Sequence, residues 1–570
     1  MKKLLFVIVL LVGLAVAIAV ATVYFSGGSN VGLAGASILR LTLDQPLADY
    51  NPAPQVPFFG RRAGTDLIDV YRALRGARTD PDVLGLAVYI RRTAFGLAQA
   101  EELRRQFEAL ADAGKSVECY LETAGEGSNG TLAYYVASAC PKISLAPAGE
   151  LNVVGLFADS TFLRGALDKL KIEPEFESVG TYKSAGETYT EYEHSAPARE
   201  ALSSLLDDFY SRLAGDIAVG RQLDEAQVRR LIDRAPYSAG EALELALVDQ
   251  LAYPDQFEAS LRESLGDDWT WVEVEDYTPP GLDLGRTKIA IAFAQGTIVR
   301  GRSGVDPWSQ ERYIGSDGFG AVLEELIEDD SIAAVILRVD SPGGSAQASD
   351  LLLRQVERLA EVKPVVVSMS SLAASGGYYI SARAQHIVAE STTITGSIGV
   401  IAGRFVTGRF QEELLGVSHD TIKRGANADY FSSLEPFNPA QRERFGTMMS
   451  AVYETFLEHV AAGRAMERSA VEAVAQGRVW TGQSALGLGL VDEVGGLEVA
   501  HRAAAVAADL ELEATRLVLY PRPPSLLDYF SAGGGGGLLA QWLRSQLTLD
   551  LEAPAELEVA PETVRLRRPF

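Results

Sequence analysis

The serine best placed to act as a nucleophile is Ser375, in the run LAASGGYY. A β-rich run precedes it and a helical pattern follows. The turn between them exposes the hydroxyl, and the helix N-terminus offers backbone N–H groups to a developing anion. Taken alone, a Gly-Gly pair after a strand is an ordinary turn. A second glycine site changes that weighting: SPGGS, Ser341 to Ser345, ends the preceding strand, so two adjacent crossovers present glycine amides at one sheet edge. Acyl transfer needs paired donors for its oxyanion, and the amides of Gly344 and Gly376 are the natural pair.

A nucleophilic serine needs a base. The five histidines, His194, His386, His419, His459 and His501, all lie outside glycine-rich or otherwise distinctive settings. Lysine can replace histidine where burial lowers its pKa towards neutrality. Beyond Lys2 and Lys3, the lysines are Lys115, Lys142, Lys169, Lys171, Lys183, Lys288, Lys363 and Lys423. Most flank helices or strand starts and read as solvated charges. Lys183 lies in VGTYKSAGE, among small uncharged residues that could hold an amine in a pocket. On composition alone a surface role for it remains open.

The elements that must position these groups belong to a chain of 570 residues, long enough for two or more domains. With 76 acidic against 51 basic residues, the net charge of −25 repels phosphate backbones and argues against a general nucleic-acid binder. Two cysteines, Cys119 and Cys140, are too few for a zinc ribbon, an iron–sulfur site or a disulfide scaffold. They are compatible with one disulfide or two buried thiols. Leu4 to Phe25 carries no charge and is long enough to span the ~30 Å hydrocarbon layer. Lys2 and Lys3 before it orient the N-terminus inward, which puts the body outside the cytoplasm. A cleaved signal peptide is the alternative.

The body is written twice. YSAGEALELALVD, Tyr237 to Asp249, matches WTGQSALGLGLVD, Trp480 to Asp492, at an offset of 243, and Tyr134 matches Tyr378 at 244. GLAQAEELRRQ from Gly96 matches GSAQASDLLLRQ from Gly344 at 248. In the second copy, IAAVILRVD, PVVVSMS and HIVAE read as strands separated by helical segments, which implies parallel βαβ units. The copies meet near Pro279 and Pro280, and the repeat pattern fades beyond Leu510. Pro521, Pro523, Pro524 and the run Gly533 to Gly537 read as linker before a disordered tail, with Leu538 to Leu547 as an alternative short amphipathic helix.

SPGGS, ASGGYY, TGSIGV and GTYKSAGE, in a membrane-anchored tandem repeat, resemble the long form of the signal peptide peptidase A family. These are serine proteases with a serine-lysine dyad on the ClpP/crotonase fold, and the similarity runs over approximately residues 37 to 510. The resemblance implies an α/β chain of tandem ClpP/crotonase-like domains: an anchor (1–28), a first repeat with the base (29–280), a second with the nucleophile (281–510) and a tail (511–570). Transferred to this sequence, the nucleophile is Ser375, the general base Lys183, and Ser397 in TGSIG orients the lysine amine. No metal, nucleotide or other cofactor is implied. Expected partners are signal-peptide remnants and unfolded peptides, the inner membrane, and further copies of the chain in a homotetramer.

Aligning the repeats supports this division. Ser375 falls opposite Thr131, Gly376 and Gly377 opposite Leu132 and Ala133, and SPGG opposite TAFG from Thr93 to Gly96. Aligning Gly180 with Gly425 puts Lys183 opposite Ala428, with Lys423 as a nearby rival. Two other readings are an acyl-thioester enzyme of the crotonase branch and a membrane-tethered chaperone with a vestigial dyad. If Leu4 to Phe25 is a retained anchor, the mature protein keeps its N-terminus and sediments with membranes. Mass spectrometry checks this, and a soluble protein starting after residue 20 overturns it.

Overall fold

A computed structural model of the chain describes residues 35–52, 65–280, 286–306, 309 and 311–522. The expected anchor, Leu4 to Phe25, and the segment Leu538 to Leu547 lie outside the described residues. Among the described residues no helix is long and apolar enough to cross a membrane.

The duplication is visible strand for strand. The first sheet runs in the order Gln250–Leu251, Lys142–Leu145, Ser116–Leu121, Val83–Ile90, Ser37–Leu43, Thr270–Glu273, and every pairing in it is parallel. In the second, eight-stranded sheet Glu493–Val494, His386–Ala389, Val365–Ala374, Ile332–Ser341, Thr287–Gln295 and Thr515–Tyr520 repeat that order with parallel pairing, while Ile394–Gly396 runs parallel to the end of Val365–Ala374 and pairs antiparallel with Val479–Thr481. Central strands such as Ile332–Ser341 are buried on both faces, which is why they read as unbroken apolar runs. The crossover helix Ala346–Val362 starts at Ser345, whose side chain caps Ala348 N, and buries Ala348, Leu352, Leu353, Val356 and Leu359 at helical spacing.

Polar contacts repeat as well. Tyr134 donates to Leu247 O at 2.8 Å, and Tyr378 donates to Leu490 O at 2.9 Å. Arg221 pairs with Asp249 as Arg464 pairs with Asp492. Lys115 ties down the carbonyls of Asp80 and Val83, and Lys363 those of Leu326 and Asp329.

One further strand of the second sheet lies beyond residue 510. Thr515–Tyr520 forms the edge strand beside Thr287–Gln295, in the place Thr270–Glu273 occupies in the first sheet. Only Thr515 and Tyr520 of the six are buried. An edge strand so lightly covered leaves little periodicity to read, and the prolines just beyond it resemble a linker. Cys119 and Cys140 are joined in a buried disulfide, with Cα atoms 5.8 Å apart.

Each repeat has its own core, and a third lies between them, where Tyr50, Ile68 and Tyr71 pack with Ile289, Ile291, Phe293 and Leu497. Beside it Asp49 forms an ion pair of 2.7 Å with Arg338, both fully buried, and accepts hydrogen bonds from Gln99 and Ser370. Glu101 of the first repeat receives Ser391 and Thr392 of the second, and Glu102 receives the Leu497 amide. Breaking a buried pair from one side strands the other charge. Asp49→Ala is therefore expected to destabilise the chain by about 3–5 kcal/mol in urea unfolding, whereas a loss below about 1 kcal/mol would place it with exposed pairs.

Candidate active site

Two strands from different repeats bring the chemistry together. Glu173–Val179 pairs antiparallel with Val400–Val406, in register from Val400↔Val179 to Val406↔Glu173. Glu175, nearly fully buried, fastens this ribbon by accepting from Arg404, Arg442 and the Phe437 amide. Lys183 follows the first strand by four residues, and Ser397 precedes the second by three. A one-residue slip moves a strand by ~3.3 Å and turns its side chains over, so this register sets where the lysine amine arrives.

It arrives at Ser375. Lys183 Nζ lies 3.0 Å from Ser375 Oγ, 2.9 Å from Ser397 O and 2.9 Å from Ser397 Oγ. The lysine is only 8% exposed. Burial, with no carboxylate to offset it, lowers its pKa from the ordinary lysine range to about 7. A neutral amine has two N–H bonds and one lone pair. With the N–H groups directed to the oxygens of Ser397, the lone pair faces the Ser375 hydroxyl.

Ser375 itself adopts φ 53°, ψ −116°, an uncommon conformation for a residue with a side chain. The turn is held by Ser375 N donating to Gly396 O at 3.0 Å and by Tyr379 N donating to Ser375 O at 2.8 Å. The neighbouring turn locks against it. Gly344, at φ 152°, sits so close to Ile298 O that a Cβ would overlap it, and a Cβ on Gly376 would lie 3.2 Å from Gly344 N. The turns Gly343-Gly344 and Ser375-Gly376 thus meet backbone to backbone beside the serine.

The other candidates fall elsewhere. Lys423 is exposed and paired with Asp429 at 2.7 Å. Thr131, opposite Ser375 in the repeat, is buried and exchanges hydrogen bonds with Gly155. Among the histidines, His386 faces Glu493, His459 faces Asp350 and His501 is buried between Tyr71 and Thr515. Among the described residues no group of three or more His, Cys, Asp or Glu side chains could hold a metal ion.

Sequence reasoning missed the turn Gln476-Gly477-Arg478. Gln476 O accepts Tyr182 N at 2.8 Å, Gly477 N donates to Ile398 O at 2.7 Å, and Arg478 O accepts Ser397 N at 2.7 Å. Its only signal was one glycine before a short β-rich run, the mark of any turn.

The family model for peptidase family S49 matches twice, over residues 110–266 and 357–511. The chain belongs to peptidase family S49. It is a serine protease of that family. This S49 chain is 34% identical over 482 residues to the chloroplastic serine protease SPPA of Arabidopsis thaliana, covering 81% of this chain and 69% of that one. It is 31% identical over 512 residues to Protease 4 of Haemophilus influenzae, covering 84% and 80%. Among solved structures, a mutant ClpP1 from Listeria monocytogenes aligns with 37% of this chain and 93% of its own at 12% identity and a TM-score of 0.24, a level that does not fix a fold. Within the S49 peptidase, Lys183 lies in the first matched segment and Ser375 in the second.

The buried amine has a thermodynamic signature. Below pH 7 the folded chain must hold a charged lysine out of water, and the penalty is at its full value. Between about 7 in the folded chain and ~10.4 in the unfolded one, only the unfolded chain keeps the proton. Stability therefore rises with pH across that window. Compared with wild type, Lys183→Met is expected to lack this rise, so its relative stability is highest at or below pH 7 and declines towards pH 10. Urea midpoints taken at several pH values check this, and parallel curves would mean that the amine is solvated.

Proposed function

We propose that this S49 peptidase is a membrane-anchored endopeptidase that degrades cleaved signal peptides and other unfolded segments through a Ser375–Lys183 dyad. The observation that carries the reading is the 3.0 Å approach of a desolvated amine from one repeat to a serine hydroxyl of the other. Neutral Lys183 takes the Ser375 proton as Oγ attacks the peptide carbonyl carbon. The ammonium that forms is held by Ser397 O and Oγ, and the Gly344 and Gly376 amides stabilise the oxyanion. Lys183 then gives its proton to the leaving amine. A water molecule gives a proton to Lys183 as it attacks the serine ester, and Lys183 returns that proton to Ser375 Oγ as the C–O bond breaks, restoring the hydroxyl and the neutral amine.

Several broader features belong to the same reading. The repeats, taken as 29–280 and 281–510 with the edge strand to 520, are ClpP/crotonase-like. The N-terminal segment holds the body on the outer side of a bacterial inner membrane, and the chains assemble as a homotetramer. The similarity to serine protease SPPA and Protease 4 supports the peptidase assignment.

Because only the neutral amine can accept the proton, kcat/KM should rise with pH and reach half its plateau near pH 7. Ser375→Ala and Lys183→Ala should each lose at least ~10³-fold in peptide hydrolysis. Lys183→Arg should fail equally, since arginine stays protonated, while Lys423→Ala keeps both rate and profile. Hydrolysis of an unstructured peptide across pH 5–10 measures all four, and an active Lys183→Ala enzyme would falsify the cross-repeat dyad.

A further inference from the structure

The contacts around Lys183 contain more than the dyad needs. A Cβ on Gly477 would sit 2.5 Å from Lys183 Cβ, 2.6 Å from its N and 2.7 Å from its Cα. Gly477 also has φ 75°, in the left-handed region. On the other side of the same contact, Gly180 has φ 115°, and a Cβ there would come 2.5 Å from Gln476 C. The two repeats therefore touch backbone to backbone beside the lysine. The turn is also bonded both ways: Gln476 O holds the Tyr182 amide, and Arg478 O holds the Ser397 amide. Ser397 supplies two acceptors for the amine, and its neighbour Gly396 holds the Ser375 amide.

The Arg478 side chain closes the clamp. Its guanidinium lies between the rings of Tyr182 and Trp480, 4.8 and 4.4 Å from their centroids. It pairs with Glu200 at 2.5 Å, and the Tyr182 hydroxyl donates to the same carboxylate. The residue before the lysine is thus gripped by a stacked cation and a shared anion.

The first repeat indicates that the fold itself does not require this turn. Its antiparallel pair Glu150–Leu151 and Tyr237–Ser238 corresponds to Ile394–Gly396 and Val479–Thr481. At the offset of 243 that aligns Tyr237 with Trp480, Gly477 falls opposite Arg234 and Arg478 opposite Ala235. The copy that receives no lysine has neither the glycine nor the arginine.

We propose that the turn Gln476-Gly477-Arg478 is the positioning element of the dyad, with Gly477 admitting the Lys183 backbone and Arg478 locking Tyr182 so that the amine meets Ser375. The proposal rests on the dyad reading. A displacement of about 1 Å can cost ~10²-fold in rate. Gly477→Ala should therefore lower kcat by ~10²-fold while KM stays within about threefold. A lysine pushed towards water regains its charge, so the pH of half-maximal kcat/KM should move up from about 7. Arg478→Ala, which leaves the backbone alone, should shift the profile in the same direction with a smaller loss, on the order of 10-fold.

The experiment measures kcat, KM and the pH profile for Gly477→Ala, Arg478→Ala and Lys183→Ala in the full-length chain, with a thermal melt for each. A folded Gly477→Ala enzyme with wild-type kcat and profile overturns the proposal. If Gly477→Ala does not fold, Arg478→Ala decides: a profile moved to higher pH supports the proposal, and an unchanged one overturns it. Lys183→Ala separates the two levels. If that variant is inactive while the turn variants behave as wild type, the positioning role falls and the dyad stands; if it is active, the dyad reading itself falls.

Discussion

An amine buried without a counter-charge is the constraint on which this site depends. Water would hold Lys183 as an ammonium, and a neighbouring carboxylate would do the same more strongly. The chain supplies neither. It gives the amine two oxygens of Ser397, which accept its N–H groups without fixing a positive charge, and turns its lone pair to the Ser375 hydroxyl. The chain is rich in carboxylates, with 76 acidic residues, so keeping all of them away from one lysine is a specific demand on the architecture. The two-strand ribbon meets it by carrying the lysine in from the other repeat, where small residues and backbone can surround it.

Delivery across a seam works only if the seam is rigid. The interface between the repeats combines an apolar cluster with buried charged groups whose hydrogen bonds are directional: Asp49 with Arg338, Glu101 with Ser391 and Thr392, Glu102 with the Leu497 amide. An apolar surface alone would allow sliding. Paired and hydrogen-bonded groups in a low-dielectric interior penalise any displacement that leaves one of them unmatched. Glu175 does the same for the ribbon, binding two arginines and a backbone amide at once.

Much of this was legible in the sequence, and the limits have physical causes. Buried parallel strands such as Ile332–Ser341 announce themselves as apolar runs, and the glycine pairs at 343–344 and 376–377 mark turns where backbone must approach backbone. The complementary losses in the two copies, threonine for Ser375 and alanine for Lys183, point in the sequence to a single shared site. The strand Thr515–Tyr520 was not legible, because an edge strand with four half-exposed residues has no sharp pattern. Nor was the Gly477 turn, whose significance is a contact with a residue almost three hundred positions away. Pattern reading detects what a segment does to itself and its neighbours in sequence. It does not detect which distant backbone a glycine makes room for.

With the dyad as proposed, the split between repeats also governs when the enzyme becomes active during its own synthesis. A ribosome releases Lys183 long before Ser375, and the strand Val400–Val406 that must zip onto Glu173–Val179 emerges later still. At ~5–20 residues per second, tens of seconds separate the first half from the completed ribbon. Until then, with the dyad as proposed, the nascent polypeptide carries a base with nothing to activate. On that reading hydrolytic competence is tied to full-length folding, and an unfinished chain is unable to cleave its neighbours.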